Sequence, residues 1–388
     1  MTAVRFISSK LSFKGKAAVV SIAVSFVVMI LALAISSGFR REIRRSLSEI
    51  SGDVRLTSSR QDFLSDEYPI KSEPSYIRKI REIDGVEAIT PVVYRAGIVK
   101  KGNEIQGVLF KGTPHRDTLG DNGVSIPSRL AEILELKPGD KFTSYFVGER
   151  LKARAYTIKE IYPSLVQADR NLLVNVAIEG LQKLNGWNEN QVSALEITLS
   201  DEYRQAADSD RKCAEIGSIA MMYESEEYDT LIASSLRDRY PQLFEWLHLI
   251  DFNVLVILLL MTVVAGFNMI SGLLIMLFRS ISTIGTLKAM GMTDRAIGKV
   301  FLRIASGVVL KAMLIGNGLA LFLCFLQSFT HILKLNPAHY FVSFVPVHID
   351  LPFILAADAA AYFVIMLLLY IPTVFISKVD PARTIRTK

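Results

Sequence analysis

The chain has 388 residues, a net charge of +6 and a mean hydropathy of +0.33, and it is 51% hydrophobic and 21% charged. Soluble domains carry about 25% charged residues, so part of the chain belongs in lipid, whereas 44 basic and 38 acidic residues exclude a protein that lies wholly in the membrane. The two cysteines, Cys213 and Cys324, exclude a disulfide scaffold and CxxC clusters, and the five scattered histidines form no HExxH pair.

Four apolar stretches are each long enough to cross a bilayer, which takes about 20 helical residues. The predicted transmembrane helices are residues 17–39, 249–278, 304–327 and 351–375. The first stretch has an alternative interpretation as a secretory signal peptide, with Ala32-Leu33-Ala34 as the cleavage site. We favour a retained anchor, because Ala17–Ser37 is longer than the about 7–15 apolar residues of a signal peptide and the sequence GFRREIRRSL continues as a helix.

The basic residues that flank these stretches predict the orientation of the chain. They are concentrated in the N-terminal interfacial segment 1–16, the loop 279–303 and the tail 376–388, which are therefore predicted to be cytoplasmic. The short loop 328–350 carries one basic residue and is predicted to be periplasmic, as is the large segment 40–248. This arrangement predicts a multi-pass protein of the bacterial inner membrane with both termini in the cytoplasm.

The distribution of charge along the chain bears on the class of partner. Residues 249–388 carry 11 basic and 5 acidic residues, whereas residues 40–248 carry 29 basic and 33 acidic residues. The excess of basic residues therefore belongs to the membrane flanks and not to the large domain. Membrane lipid is a predicted partner, and nucleic acid is not.

Residues 40–248 alternate short strand and helix patterns, which predict an α+β domain with an inserted β subdomain at about 118–200. Strands are predicted at 53–57, 86–99, 104–111, 141–147, 153–161, 172–176 and 194–199, and helices at 76–83, 125–136, 201–216 and 226–248. No histidine lies near Ser58-Ser59 or Ser234-Ser235, so a hydrolase is disfavoured. No catalytic residue, cofactor or metal ligand is predicted. The predicted fold class is membrane α-helical, with four transmembrane helices and a large α+β extracytoplasmic domain between helices one and two.

The loop 279–303 contains a short amphipathic helix. Ile281, Ile284, Leu287 and Met290 recur at helical spacing, Gly291 follows as a C-cap, and Thr293 opens a second helix that continues into the third transmembrane stretch. A helix fixed at both ends to membrane helices can transmit a push from a cytoplasmic partner. It can equally lie on the bilayer surface with its basic residues at the lipid headgroups, and the pattern alone does not separate the two interpretations.

Three polar residues inside the predicted transmembrane helices are candidates for a function. Lys311 lies near the cytoplasmic end of the third helix and Asp358 near the outer end of the fourth, so no direct salt bridge between them is expected. Lys311 can extend to the interface. Asn268, beside Gly266 and Gly272 in the second helix, is predicted to make an interhelical hydrogen bond.

Several sequence motifs resemble those of one transporter family. The run Ile284–Gly291, IGTLKAMG, resembles the coupling-helix motif of ABC transporter permeases of the lipoprotein-releasing and macrolide-exporter superfamily, also called type VII. Further matching segments are Phe6–Leu11, Ser36–Phe39, Leu136–Asp140, Val345–Ile349 and Ile371–Arg386. The resemblance covers both ends of the chain, and it is strongest over 248–388. It is closest to the lipoprotein-releasing permease subunits.

The resemblance implies a transporter subunit that works by mechanotransmission. Two ABC ATPase subunits would dock on the coupling helices of two permeases, which are two copies of this chain or a copy and a paralogue. The implied coupling residues are Ile284, Gly285, Leu287, Lys288, Met290 and Gly291. The chain has no GxxxxGK[ST] motif, so ATP hydrolysis is expected in the separate ATPase chain. Arg279 and Thr283 occupy positions at which family members usually have acidic residues. The groove of the ATPase would therefore have to accommodate a different charge.

For the lipoprotein-releasing branch, the implied substrate is a lipid-anchored protein that is drawn from the inner membrane and passed to a periplasmic carrier. Two alternatives remain open from the sequence. One is an exporter of an antibiotic or peptide with the same architecture, and the other is a membrane scaffold or signalling protein. Co-purification of an ATPase would separate a transporter from a scaffold.

Overall fold

The structure is a computed structural model of the chain. The residues that it describes are 16–64, 67–102, 104–114, 119–120, 122–148, 151–162, 172–204, 206–223, 231–336 and 342–373. The predicted segment 1–16, apart from Lys16, and the predicted tail 376–388 lie outside the described residues. The chain divides into two compact units. The membrane unit comprises Met1–Arg41, Leu247–Lys334 and Phe344–Lys388, and the outer unit comprises Glu42–Trp246 and Leu335–Ser343.

The elements are numbered along the chain, helices and strands separately. The helices are α1 (Lys16–Ser51), α2 (Ile77–Arg81), α3 (Ser128–Ile133), α4 (Ile178–Asn185), α5 (Ala206–Tyr223), α6 (Leu236–Arg239), α7 (Pro241–Arg279), α8 (Ile281–Ala289), α9 (Asp294–Thr330), α10 (Leu351–Leu368) and α11 (Tyr370–Thr373). The strands are β1 (Val54–Ser58), β2 (Ile70–Lys71), β3 (Val86–Lys101), β4 (Glu104–Thr113), β5 (Gly123–Pro127), β6 (Lys141–Phe146), β7 (Lys152–Tyr162), β8 (Leu172–Ala177), β9 (Gln191–Val192), β10 (Ala194–Leu199) and β11 (Leu231–Ser235).

Within the described residues, four helical segments are long and apolar enough to cross a membrane. They are α1, α7, α9 and the segment Leu351–Thr373, which contains α10 and α11. An α+β domain lies between the first and second of them in the chain, so the predicted fold class is confirmed. Helices α1 and α7 have 36 and 39 residues, and both are longer than the about 20 residues that a bilayer requires.

The core of the membrane unit is apolar and closely packed. Buried side chains of α1, α7, α9 and α10, among them Phe26, Met269, Phe301 and Ile365, form one hydrophobic cluster. Gly316 of α9 permits a close crossing with α1, because a Cβ atom there would lie 2.6 Å from the backbone oxygen of Ala23. Small residues at such crossings let helix backbones approach each other in membranes.

The outer unit is built on one long sheet. Among the described residues its strand order is β11-β1-β10-β3-β4-β8-β5-β7-β6. The last strand, β6, also pairs with β3. The strands β3, β4, β8, β5, β7 and β6 therefore close into a barrel. Phe110, Phe146 and Tyr156 are buried, and the Phe110 ring contacts the rings of the other two. Gly97 is required beside them, because a Cβ atom at this position would lie 2.9 Å from the Phe146 ring.

Strand β3 belongs to both parts of the sheet. Its first half pairs with β10, and its second half, Val93–Lys101, pairs with β4. The barrel therefore combines strands β5–β8 from the predicted insert 118–200 with parts of β3 and β4 that precede it. Strand β10 also falls in that range, but it lies between β1 and β3. The residues that form the barrel thus differ from the predicted range of the insert at both of its ends.

Two of the predicted helices begin with residues that form strands instead. Residues 231–235, predicted as helix, form β11, which pairs antiparallel with β1. Residues 125–127 belong to β5, whose residues are all buried, and the helix α3 begins only at Ser128. A run of five residues is too short for periodicity alone to distinguish a strand from a helix. Pairing with neighbouring strands decided the conformation of both segments.

Candidate functional site

The loop between α7 and α9 contains helix α8 at the predicted position. Helix α8 ends before Gly291, whose φ of +86° is a backbone conformation that glycine adopts without strain. The Thr293 side chain accepts a hydrogen bond from the backbone N–H of Ala296 and caps α9. The predicted helix and the predicted start of the next helix at Thr293 are both confirmed. The local signals at Gly291 and Thr293 thus fix the two ends of a tight helix–turn–helix loop.

The two sides of α8 have different surroundings. Ile284 is 1% exposed, lies in the hydrophobic cluster of the membrane unit, and is followed by the buried Gly285. Leu287 is partly buried against the same cluster. In contrast, Met290 is 79% exposed, and Gly291 is exposed beside it. Of the six residues that the motif identified, three therefore face the membrane unit and two face outward.

The sixth residue, Lys288, makes an ion pair within the loop. Its Nζ atom lies 2.8 Å from Oδ1 of Asp294, and its side chain is only 10% exposed. This pair joins the last turn of α8 to the first residue of α9. The motif alone did not predict this pair, because the partner follows the turn at Gly291.

The exposed side of α8 is formed by uncharged side chains between basic ones. Thr283, Thr286 and Met290 are exposed, and we call these three residues the docking face. Arg279 before α8 and Arg295 after it are also exposed. The docking face therefore consists of two threonine hydroxyls and a methionine thioether, and a positively charged arginine lies on either side of it. Thr286 was not among the residues that the motif identified.

The polar residues of the membrane helices make interhelical contacts. Asn268 Nδ2 of α7 donates to Ser21 Oγ of α1 at 2.6 Å. Asp358 of α10 is 4% exposed and accepts a hydrogen bond from Asn317 Nδ2 of α9 at 2.5 Å. Lys311 is exposed on α9, and no ion pair joins it to Asp358 among the described residues. Two of the three candidates thus hold helices together.

A third polar contact in the membrane unit was not predicted from the sequence. Asp251 of α7 accepts a hydrogen bond from Ser36 Oγ at 2.8 Å and forms an ion pair with Arg40 at 3.3 Å. Both partners lie on α1, close to the end of its apolar stretch. The only signal in the sequence was a carboxylate just before the second apolar stretch.

The loop after α9 lies against the same part of α1. The backbone N–H of His348 donates to the Ala34 oxygen at 3.0 Å, and a Cβ atom at Gly38 would lie 2.3 Å from the backbone oxygen of Pro346. Gly38 is the glycine of the Ser36–Phe39 motif, and Pro346 belongs to the Val345–Ile349 motif. The structure thus supplies a steric reason for both motifs. No group of three or more His, Cys, Asp or Glu side chains that could hold a metal ion occurs in the described part of the chain.

Comparisons with known proteins identify relatives of the chain. Residues 255–381 match the family described as FtsX-like permease C-terminal. Over 96% of its length the chain is 21% identical to the lipoprotein-releasing system transmembrane protein LolE of Haemophilus influenzae, covering 94% of that protein. Over 97% of its length it is 22% identical to the lipoprotein-releasing system transmembrane protein LolC of Neisseria meningitidis, again covering 94%.

Two solved domains also align with part of the chain. The periplasmic region of MacB from Actinobacillus actinomycetemcomitans aligns with a TM-score of 0.32 and 12% identity, over 53% of this chain and 98% of that one. The extracellular domain of the noncanonic ABC-type transporter YknZ from Gram-positive bacteria aligns with a TM-score of 0.30 and 10% identity, over 47% and 99% respectively. The family match over residues 255–381 and the likeness of nearly the whole chain to two lipoprotein-releasing transmembrane proteins support a permease of the type VII ABC transporter superfamily.

Proposed function

We propose that this permease extracts lipid-anchored proteins from the inner membrane and delivers them toward a periplasmic carrier. The chain supplies the transmembrane and outer domains, and a separate ABC ATPase subunit hydrolyses ATP. Two ATPase subunits act on a pair of permeases, formed by two copies of the chain or by the chain and a paralogue. The resemblance of nearly the whole chain to two lipoprotein-releasing proteins supports this substrate class.

The observation that carries the proposal is the two-sided environment of α8. Its docking face of Thr283, Thr286 and Met290 is exposed, while Ile284 on the other side is buried among membrane helices. A push on the docking face therefore reaches the core of the membrane unit through one short helix, whose Ile284 is buried in that core. A helix that only rests on lipid headgroups would present basic residues at these positions. The uncharged docking face favours a protein groove as its partner.

The proposed orientation places both termini and α8 in the cytoplasm and residues 40–248 in the periplasm. Cysteine labelling tests it, because Cys213 and Cys324 are buried, at 7% and 1% exposure. A Lys299→Cys variant, at an exposed position of α9 outside the docking face, should resist a membrane-impermeant maleimide added to spheroplasts and react after lysis. A Ser218→Cys variant, at an exposed position of α5, should react in both conditions. The reverse labelling pattern would contradict the orientation.

The function itself is tested by purification and reconstitution of the complex. The full chain, tagged and extracted in mild detergent, should retain an ABC ATPase through purification. In proteoliposomes that contain a lipid-anchored protein, ATP should drive release of that protein to an added soluble carrier. Absence of any ATPase would favour a scaffold. An active ATPase without release of the lipid-anchored protein would favour an exporter of an antibiotic or peptide.

A further inference from the structure

The C-terminal end of α1 is held by two cations of the outer unit, the buried Lys111 and the half-buried Arg239. Lys111 Nζ donates to the backbone oxygen of Ile50. Arg239 donates to the oxygens of Ser51 at 2.5 Å, Gly52 at 2.6 Å and Asp53 at 3.2 Å. The last carbonyl groups of a helix have no partner inside the helix and carry partial negative charge. The two cations therefore supply hydrogen-bond donors to the backbone carbonyl groups between the end of α1 and the start of β1.

Both cations are tied to other elements of the outer unit. Lys111 lies on β4, and its Nζ atom is 2.6 Å from Oε2 of Glu196 on β10. Oε1 of Glu196 is 3.2 Å from Arg55 on β1. The side chains of Lys111 and Glu196 are each 6% exposed, so the pair is shielded from water and from salt. Three neighbouring parts of the sheet thus converge on the end of one helix.

Arg239 brings a second long helix to the same place. It is the last residue of the short helix α6, which begins after a capping box between Ser235 and Asp238. Helix α7 starts two residues later, at Pro241. The segment that leads into the second transmembrane helix is therefore bonded to the end of the first. Gly52, with φ of +64°, lies between the bonded carbonyls and would be a natural hinge if these bonds were absent.

We infer that Lys111, Glu196 and Arg239 form a clamp that fixes the end of α1 to the sheet and to the start of α7. The clamp prevents bending at Gly52, so that a displacement of α1 moves the sheet with it. This inference rests on the proposed function for its purpose, which is to pass a push from the membrane helices to the outer domain. The three residues are positioning residues, and they contact neither ATP nor substrate.

The electrostatics agree with a rigid, charged joint. Burial raises the pKa of the Glu196 carboxyl, but Lys111 and Arg55 more than offset this effect and hold the pKa below its ordinary value. Burial, followed by the charge of Arg55, lowers the pKa of Arg239 to about 10, so Arg239 stays protonated at neutral pH. Charge-assisted hydrogen bonds of this kind are about twice as strong as neutral ones.

Hydrogen exchange of the full-length protein in detergent tests the clamp without any transport assay. A Lys111→Met variant should exchange the backbone amides of residues 48–56 about tenfold faster, whereas amides of β6 and β7 in the barrel keep their wild-type rates. Lys101→Met is a matched control, because Lys101 also donates to a backbone oxygen, that of Glu135, and pairs with Asp140, but lies far along β3 from α1. Unchanged exchange at 48–56 in Lys111→Met would overturn the inference.

A double variant separates the clamp from simple charge balance. In Lys111→Met the buried negative charge of Glu196 loses one of its two cationic partners. Adding Glu196→Gln removes that negative charge. The double variant should recover thermal stability but still exchange rapidly at 48–56. In the reconstituted complex it should keep its ATPase rate and release about tenfold less lipid-anchored protein per ATP. Recovery of both slow exchange and release would refute a mechanical role, whereas an absent ATPase in the wild type would refute the proposed function alone.

Discussion

Lys288 Nζ lies 2.8 Å from Asp294 Oδ1, so the end of α8 and the start of α9 are joined across the turn at Gly291. Lys288, in the motif Ile284–Gly291, therefore has its ion-pair partner within the chain. Lys288→Met and Asp294→Asn each remove this pair and should reduce ATP-coupled release to a similar extent. A partly exposed pair contributes about 1 kcal/mol or less to stability, so both variants should fold. The measurement is release per ATP in proteoliposomes. A silent Asp294→Asn beside an inactive Lys288→Met would indicate that Lys288 contacts the ATPase directly.

The docking face can be tested with two methionines of similar exposure. Met290 is 79% exposed on the loop after α8, and Met222 is 76% exposed on α5 of the outer unit. Met290→Asp should fold normally and lose most of its bound ATPase, because a charge replaces a side chain expected to enter an apolar groove. Met222→Asp, with the same chemical change, should retain the ATPase. The amount of ATPase that co-purifies with each variant measures the difference, and equal retention would contradict the docking face.

Gly38 should tolerate no side chain. A Cβ atom there would meet the backbone of Pro346 at 2.3 Å, and a backbone cannot yield as a flexible side chain does. Gly38→Ala should therefore destabilise the membrane unit by about 1–3 kcal/mol, the usual cost of overpacking. Gly307→Ala in α9 is the control, because a Cβ atom there would contact nothing within 4 Å and alanine favours a helix. Thermal unfolding in detergent measures both variants. An unchanged melting temperature for Gly38→Ala would show that the 344–350 loop can move away.

Asp358 and Asn317 form a polar contact between α10 and α9. Asp358→Asn can keep a hydrogen bond to Asn317 and should preserve stability and release. Asp358→Leu leaves the Asn317 amide without this partner in an apolar surrounding, and we expect a loss of about 0.5–2 kcal/mol. Denaturation in detergent together with release in proteoliposomes checks both variants. A stable Asp358→Asn variant that releases nothing would instead identify the charge or proton of Asp358 as functional.

Glu196 should make the stability of the protein dependent on acid pH. Its pKa in the folded protein lies below the ordinary value of 4.5, so the unfolded chain binds the proton more readily. The stabilisation is present above pH 4.5 and is lost as the pH falls through the folded-state pKa. As the pH is lowered from about 6 to 3, the melting temperature should therefore decrease more steeply for the wild type than for Glu196→Gln. Parallel curves for the two proteins would contradict the charge state of the clamp.

The sequence and the structure agree where local signals decide the conformation. The strand at Ala194–Leu199, the helix α8 and its ends at Gly291 and Thr293 were all predicted, because alternation, helical periodicity and caps act over a few residues. They disagree at residues 231–235, which became β11 when the edge of β1 was available for pairing. Local propensity is weak compared with a ladder of hydrogen bonds to a neighbouring strand.

By itself, the sequence determined the four membrane helices, the domain between the first two, and the short helix α8, because long uncharged runs favour a bilayer and helical periodicity acts over a few residues. Only the tertiary structure decided which charged side chains meet. Lys111 and Glu196 are 85 residues apart in the chain, yet they share the end of α1. Lys288 proved to be paired at the turn, while Thr286 proved to be exposed. Such pairings follow from strand register and helix packing, which are set by burial over the whole molecule and leave no short-range trace in the sequence.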